Sequence, residues 1–321
     1  MLRSILRRFR YSLLAPLLMD KTSLERSLVL QGTQASRASR SLEHLHHLSE
    51  AEFRVYSQWG EDGILEWLIQ RLPISTTRFI EFGVENYREA NTRFLLINRN
   101  WKGLVMDGSS QNIQTVREDE IYWRYDLTAV SAFINRDNIN SLITEGGFSG
   151  TIGVLSVDID GNDYWVWEAI EVVNADIVVC EYNAVFGDIY PLSIPYSPTF
   201  HRTVAHTSNL YFGASISALC LLAQRKGYVL VGTNRAGSNA LFVRKKLFSS
   251  IEGAIANNSP LPSLARESRD KNGKFSFTGG LDRFREIEDM PIVRVDTGET
   301  VPLRKLGSVY SQQWLKGMCA E

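Results

Sequence analysis

The stretch "GVLSVDIDGNDYWVWEAI" (residues 153–170) decides how the chain is read. Its first half is an unbroken apolar run, the pattern of a strand buried on both faces. Its second half places Asp158, Asp160 and Asp163 within six positions and then runs into "YWVWEAI" at helical spacing. A buried strand leading through a charged turn into a helix is part of a parallel sheet covered by helices. The carboxylates then stand at the strand's carboxyl end, where sheets of this kind bind ligands.

The same alternation extends in both directions. "YSQWGEDGILEWLIQRLP" carries Ile64, Leu65, Leu68, Ile69 and Leu72 at helical spacing, and Pro73 ends it. Strands are expected at "RFIEFGV" (78–84), "KGLVMDG" (102–108), "IYWRYDL" (121–127), "IGVLSVDID" (152–160) and "DIVVCEYN" (176–183), with helical segments between them. A helix at about 213–226 then precedes strands at 228–234 and 239–245, whose short link "RAGSN" makes them an antiparallel hairpin. The expected fold is α/β: a doubly wound, Rossmann-like, mostly parallel seven-stranded sheet with a C-terminal antiparallel hairpin. Residues 1–52 form an N-terminal helical arm, 53–248 the sheet domain, and 249–321 a loop-rich extension.

Composition narrows the partners. The 321 residues balance 35 Lys+Arg against 36 Asp+Glu, which leaves no broad basic field for nucleic acid. Three widely spaced cysteines, Cys180, Cys220 and Cys319, suit a reducing compartment better than a disulfide framework. No apolar run is long enough to span a bilayer. "MLRSILRRFRYSLLAPLLMD" (1–20) sets four arginines before a short apolar run broken by Pro16, so it reads either as a segment touching an anionic membrane surface or as a first helix folded on the core. A cytoplasmic protein, peripheral at the inner face of the membrane if the arm engages it, follows from these features. His44, His46 and His47 in "HLHH" read as an exposed helical face rather than a metal site.

At the strand ends the residue types carry chemistry. Gly83 ends the first strand after Glu81, and its missing side chain lets backbone approach a ligand. Asp107, followed by Gly108, ends the second, where a carboxylate can accept both hydroxyls of a ribose. Asp126 ends the third and is placed for an adenine amino group. Asp158 and Asp160 alternate along the end of the fourth strand, and Glu181 and Asn183 along the fifth. Four oxygen donors on adjacent strands can gather one hard cation such as Mg²⁺. Asp163 reads as a helix-start residue. Trp165 and Trp167 read as sugar-stacking or core side chains, and Tyr182 and Phe186 as pocket or core wall. A glycine-rich GxGxxG is absent, which argues against a nicotinamide dinucleotide.

"YSQWGEDGIL", "FIEFGVENYREANTRFLL", "GLVMDG", "LSVDIDGNDYWVWEAI", "CEYNAVFG" and "GASISALCLLAQRKGYVLVGTNRAGSNALFV", in this order over about three-fifths of the chain, resemble the S-adenosylmethionine-dependent methyltransferases, and among them the FkbM-like branch found beside surface-polysaccharide genes. The resemblance implies S-adenosylmethionine as cofactor. It implies contacts from Gln58 (or Glu61) near the methionine end, from Glu81, Gly83, Asp107, Gly108 and Asp126, and from Asp158. "VENYREAN" stands where relatives carry more glycines, so the turn must use Asn86 or another non-Gly residue. "VDIDGNDY" with "EYN" also resembles the acidic motifs of metal-dependent catechol and caffeoyl-CoA-type O-methyltransferases, in which the cation holds the acceptor hydroxyls. The implied reaction is methylation of a carbohydrate hydroxyl on a surface glycan or its precursor, with Asp158, Asp160 and His206 as candidate bases. "GDIYPLSIPYSPTFHRTVAH" (187–206) is the expected acceptor-side lid. Two other readings stand beside it: a non-catalytic scaffold of a polysaccharide assembly complex, and an enzyme binding a sugar-nucleotide. A homo-oligomer is left open.

Overall fold

The computed structural model describes residues 23–264 and 267–318. Its centre is a seven-stranded sheet built from β2 (Arg78–Phe82), β3 (Lys102–Asp107), β4 (Leu127–Ser131), β5 (Gly150–Val157), β6 (Val173–Glu181), β8 (Tyr228–Thr233) and β9 (Asn239–Arg244). The spatial order is β4-β3-β2-β5-β6-β9-β8. All neighbours from β4 to β6 pair in parallel, and β9 inserts antiparallel between β6 and β8. The doubly wound sheet and its closing hairpin are those expected. Side chains alternate between two cores: Ile80, Leu104, Leu155 and Val178 face one layer, and Phe79, Val105, Val154 and Ile177 the other. Burial on both faces explains why these strands read as continuous apolar runs.

Helices α2 (Glu61–Arg71), α3 (Arg93–Arg99), α4 (Ser110–Glu118), α6 (Ile139–Glu145), α7 (Asp163–Ala169) and α9 (Ile216–Lys226) cover the sheet. Local signals set their ends. Ser109 and Ser215 cap α4 and α9 by accepting backbone N–H groups, and Gly227 closes α9 in the left-handed region. One expected strand is corrected: "IYWRYDL" supplies the short helix α5 (Ile121–Arg124), and β4 begins only at Leu127. Ile121 packs into the core while Trp123 faces solvent, a helical rather than alternating disposition.

Around this core, helix α1 (23–38) is tied down through a hydrogen bond from Ser36 to the buried Glu66, which Arg99 grips with Nε and Nη2 at 2.7 and 2.8 Å. The histidine-rich segment is not helical: β1 (Leu45–His47) pairs in parallel with β10 (Ile255–Asn257). Strand β7 (Leu192–Ser193) joins β11 (Pro291–Arg294) and β12 (Thr300–Pro302) in a small antiparallel sheet. Short helices α8 (Arg202–Ala205), α10 (Lys245–Phe248), α11 (Asp282–Ile287) and α12 (Gln312–Met318) complete the periphery. The segment after 249 thus carries elements of its own. The basic stretch 1–20 lies outside the described residues, and among those described no helix is long and apolar enough to cross a membrane.

Candidate active site

A cavity of about 960 Å³ opens at the carboxyl ends of β2, β3, β5 and β6. This is the switch point, where the chain leaves β2 for β3 on one side and later returns to β5 on the other. The volume is at the upper end of those that enclose a cofactor-sized molecule.

Its first half is a turn held by carboxylates. Gly83 adopts φ 70°, and a Cβ there would overlap the carbonyl oxygen of Asp158, so the β2 and β5 ends meet only because the side chain is missing. The rest of the turn uses non-Gly residues in the left-handed region, Glu85 at φ 47° and Tyr87 at φ 58°. Asn86, expected at this role, instead accepts the Arg88 N–H at 3.1 Å and lies outside the cavity wall. Tyr87 is held in its strained conformation by burial and by hydroxyl contact with Thr92.

Glu81 braces the far end of the turn, accepting from Asn91 N–H (2.7 Å), Thr92 N–H (3.0 Å) and the Thr92 hydroxyl (2.5 Å). Burial nevertheless pushes its pKa up to about 7. Asp107 accepts from Glu85 N–H at 2.8 Å, Ser109 N–H at 2.7 Å and Asn112 Nδ2 at 3.2 Å, and with Gly108 it lines the cavity. Gln58 also lines it. Its neighbours in "YSQWGED" are structural. One oxygen of Asp62 accepts three backbone N–H groups from Val55 to Ser57 and the Ser57 hydroxyl. Buried Glu61 accepts the amides of Asn234 and Asn239, tying this segment to the β8–β9 hairpin.

Asp126 is corrected outright. It precedes β4 rather than ending it, pairs with Lys102 at 3.2 Å beside the amino end of β3, and lies at the opposite end of the strands from the cavity. Ala132, Phe133 and Ile134, which follow β4, occupy the wall instead.

The second half of the cavity is acidic at its floor. Carboxylate oxygens of Asp158, Asp163 and Glu181 all lie within 4.8 Å of one another. Asp160, expected among them, turns away: β5 ends at Val157, Asp160 takes φ 55°, and its carboxylate meets Arg202 Nη1 at 2.5 Å. Its place is taken by buried Asp163, which also holds the loop by accepting Ile159 and Gly161 N–H groups. Asn183 is corrected as a cation ligand. Its Oδ1 accepts Val185 N–H, and its Nδ2 donates to the Leu210 and Phe212 carbonyls.

Burial, and then the charges of the neighbouring aspartates, push the pKa values of Asp158 and Glu181 well above the carboxylate range. The two carboxyls lie within 4.8 Å of each other, the kind of arrangement in which a pair shares a proton. Glu181 Oε2 is buried and has no partner among the described residues. Burial lifts Asp163 to about 6.

Above this floor, the 187–206 segment contributes Phe200, His201 and Arg202 to the wall. His206 does not line the cavity; its Nδ1 is bonded to Ser208 Oγ at 2.7 Å, so its reading as a base is corrected. Tyr182 lines the cavity with its hydroxyl bonded to the Leu261 carbonyl, while Trp167 and Phe186 are core. Trp165 donates Nε1 to Ile194 and does not reach the cavity. The wall is closed by Arg269 and Arg283, from a region whose polar, glycine-rich sequence gives no site signal.

No protein-family model and no curated protein matches the chain. Solved structures resemble it. The CurJ carbon methyltransferase matches at 13% identity and TM-score 0.37, over 57% of this chain and 52% of that one, so the chain spans about half its length. The N-terminal domain of EvdMO1, determined in the presence of SAH and D-fucose, matches at 11% identity and TM-score 0.38, over 66% and 95%. An O-methyltransferase family protein from Burkholderia thailandensis matches at 9% identity and TM-score 0.34, over 57% and 58%. Likenesses this distant leave the reaction to be argued from the cavity itself.

Proposed function

We propose that the chain is a methyltransferase that moves a methyl group from S-adenosylmethionine to a hydroxyl oxygen of a carbohydrate. The observation that carries this reading is one cavity at the switch point with two unlike halves: a braced turn around Gly83, Glu81 and Asp107, and a floor of carboxyls with raised pKa values. The carbohydrate acceptor follows from the resemblance of the sequence motifs.

S-adenosylmethionine supplies, when bound, a methyl group on a positively charged sulfur that leaves as a neutral thioether. Asp107 would accept a ribose hydroxyl with the remaining lone pair of Oδ2, and Gly83 lets the turn lie close to the cofactor. The acidic wall suits a cationic ligand. As an acceptor oxygen forms its bond to the methyl carbon, its proton passes to the Asp158–Glu181 pair. A raised pKa makes that pair a stronger base than an ordinary carboxylate once ionised.

A second reading is favoured by the oxygen cluster: a divalent cation held by Asp158, Asp163 and Glu181 would relieve the same repulsion and lower the pKa of an acceptor hydroxyl. Calorimetric titration with S-adenosylhomocysteine, with Mg²⁺ and after chelation, tests the proposal. Micromolar binding in either condition supports it, and no binding in both overturns it. Turnover that survives chelation would leave the carboxyl pair as base, and turnover abolished by it would favour the cation.

A further inference from the structure

The cavity's charges are sorted by position. Seven of its eight lining carboxylates lie between Glu81 and Glu181, whereas its three arginines, Arg202, Arg269 and Arg283, come from segments after residue 200, together with the eighth carboxylate, Glu267. Two of the three are occupied. Arg202 pairs with Asp160, donates Nε to the Asn209 carbonyl at 2.7 Å and stacks 3.9 Å from the Phe212 ring centroid. Arg269 donates to Gly273, stands 3.7 Å from Glu267 and lies over Phe275.

Arg283 is different. Its side chain makes no hydrogen bond and no ion pair among the described residues, and its Nε is buried without a partner. It stands on α11 between the large cavity and a smaller one lined by Val185, Tyr310 and Trp314. Burial lowers its pKa; Tyr310 opposes that shift and the nearby charge of Arg202 adds to it. The residue is half-buried, a buried donor without a partner is costly, and a planar fork of donors matches phosphate and carboxylate oxygens.

We infer that Arg283, backed by Arg202 and Arg269, receives an oxyanion of the acceptor, so that the molecule methylated carries a phosphate or carboxylate group. The inference rests on the proposed function in taking this end of the cavity as the acceptor's. It adds a charge requirement that a neutral sugar does not meet.

The full-length protein, saturated with S-adenosylhomocysteine and free of divalent cations, is titrated calorimetrically with pyrophosphate and, separately, with glucuronate. Binding of pyrophosphate points to a nucleotide- or lipid-linked precursor, and binding of glucuronate to an acidic sugar; either supports the inference. Arg283→Gln should weaken that binding about tenfold or more, Arg283→Lys should restore part of it, and both should keep the affinity for S-adenosylhomocysteine. Failure of the wild-type protein to bind either probe, or equal binding by Arg283→Gln, overturns the inference. Loss of the methyl-transfer reading shows separately, as absent S-adenosylhomocysteine binding, and pyrophosphate titrated alone then still decides whether Arg283 holds an oxyanion.

Discussion

The two halves of the cavity handle buried charge in opposite ways. Around β2 and β3, Glu81 and Asp107 each receive three donors from the protein, most of them backbone N–H groups. Around β6 and α11, Glu181 Oε2 and Arg283 Nε are buried with none among the described residues. A satisfied group rigidifies the turn it braces, whereas an unsatisfied one costs free energy until a proton, ion or ligand arrives. The first half is therefore built before anything binds, and the second is completed by what binds.

The largest expected effect breaks the first half. Gly83→Ala forces a Cβ into the Asp158 carbonyl at positive φ, and should lower stability by roughly 3 kcal/mol or more and abolish S-adenosylhomocysteine binding, measured by thermal melting and calorimetry. In the second half, Glu181→Gln should cut methyl transfer by roughly 10²–10⁴-fold. Its S-adenosylhomocysteine affinity should stay within about twofold of wild type. Comparable loss of both would dissolve the distinction between the halves.

Next comes pH. Burial raises Glu81 to about 7 and Asp62 to about 6, so the folded protein holds their protons where the unfolded chain has released them. Stability should accordingly fall as pH rises from about 4.5 to 7, by on the order of 3 kcal/mol from Glu81 alone, as read from melting curves at several pH values. Glu81→Gln, less stable at the acid end, should flatten that slope. Asp107→Ala should weaken S-adenosylhomocysteine binding roughly 10- to 100-fold, through loss of a charge-assisted contact and of the brace on Glu85 and Ser109. The smallest effect is Asp126→Ala: an exposed ion pair at the amino ends of the strands should change stability by less than about 0.5 kcal/mol and leave S-adenosylhomocysteine binding intact.

The sheet was legible because strands buried on both faces leave long apolar runs, and Gly83 because only a missing side chain suits such a turn. The aromatic run before Asp126 mimics a strand in sequence, while the chain spends it on the short helix α5. Alternation places Asp160 beside Asp158, a rule that lapses where β5 ends at Val157 and the backbone turns left-handed. Asp163 looked like a cap and proved to be both loop brace and part of the acidic floor. Arg283 was invisible: it lies some hundred residues from β6 in a stretch without periodicity, and only tertiary packing brings it to the wall.

The insertion of β9 between β6 and β8 has a consequence for synthesis. Until residues 239–244 have left the ribosome, β6 is an edge strand with an apolar "DIVVC" stretch and no partner on that side. At ordinary elongation rates, the roughly sixty residues between them take several seconds. During that interval the nascent chain exposes the kind of edge that pairs with other chains. Slowing translation or depleting chaperones would thus act on this protein through a single unfinished strand, well before the last wall of its cavity has been made.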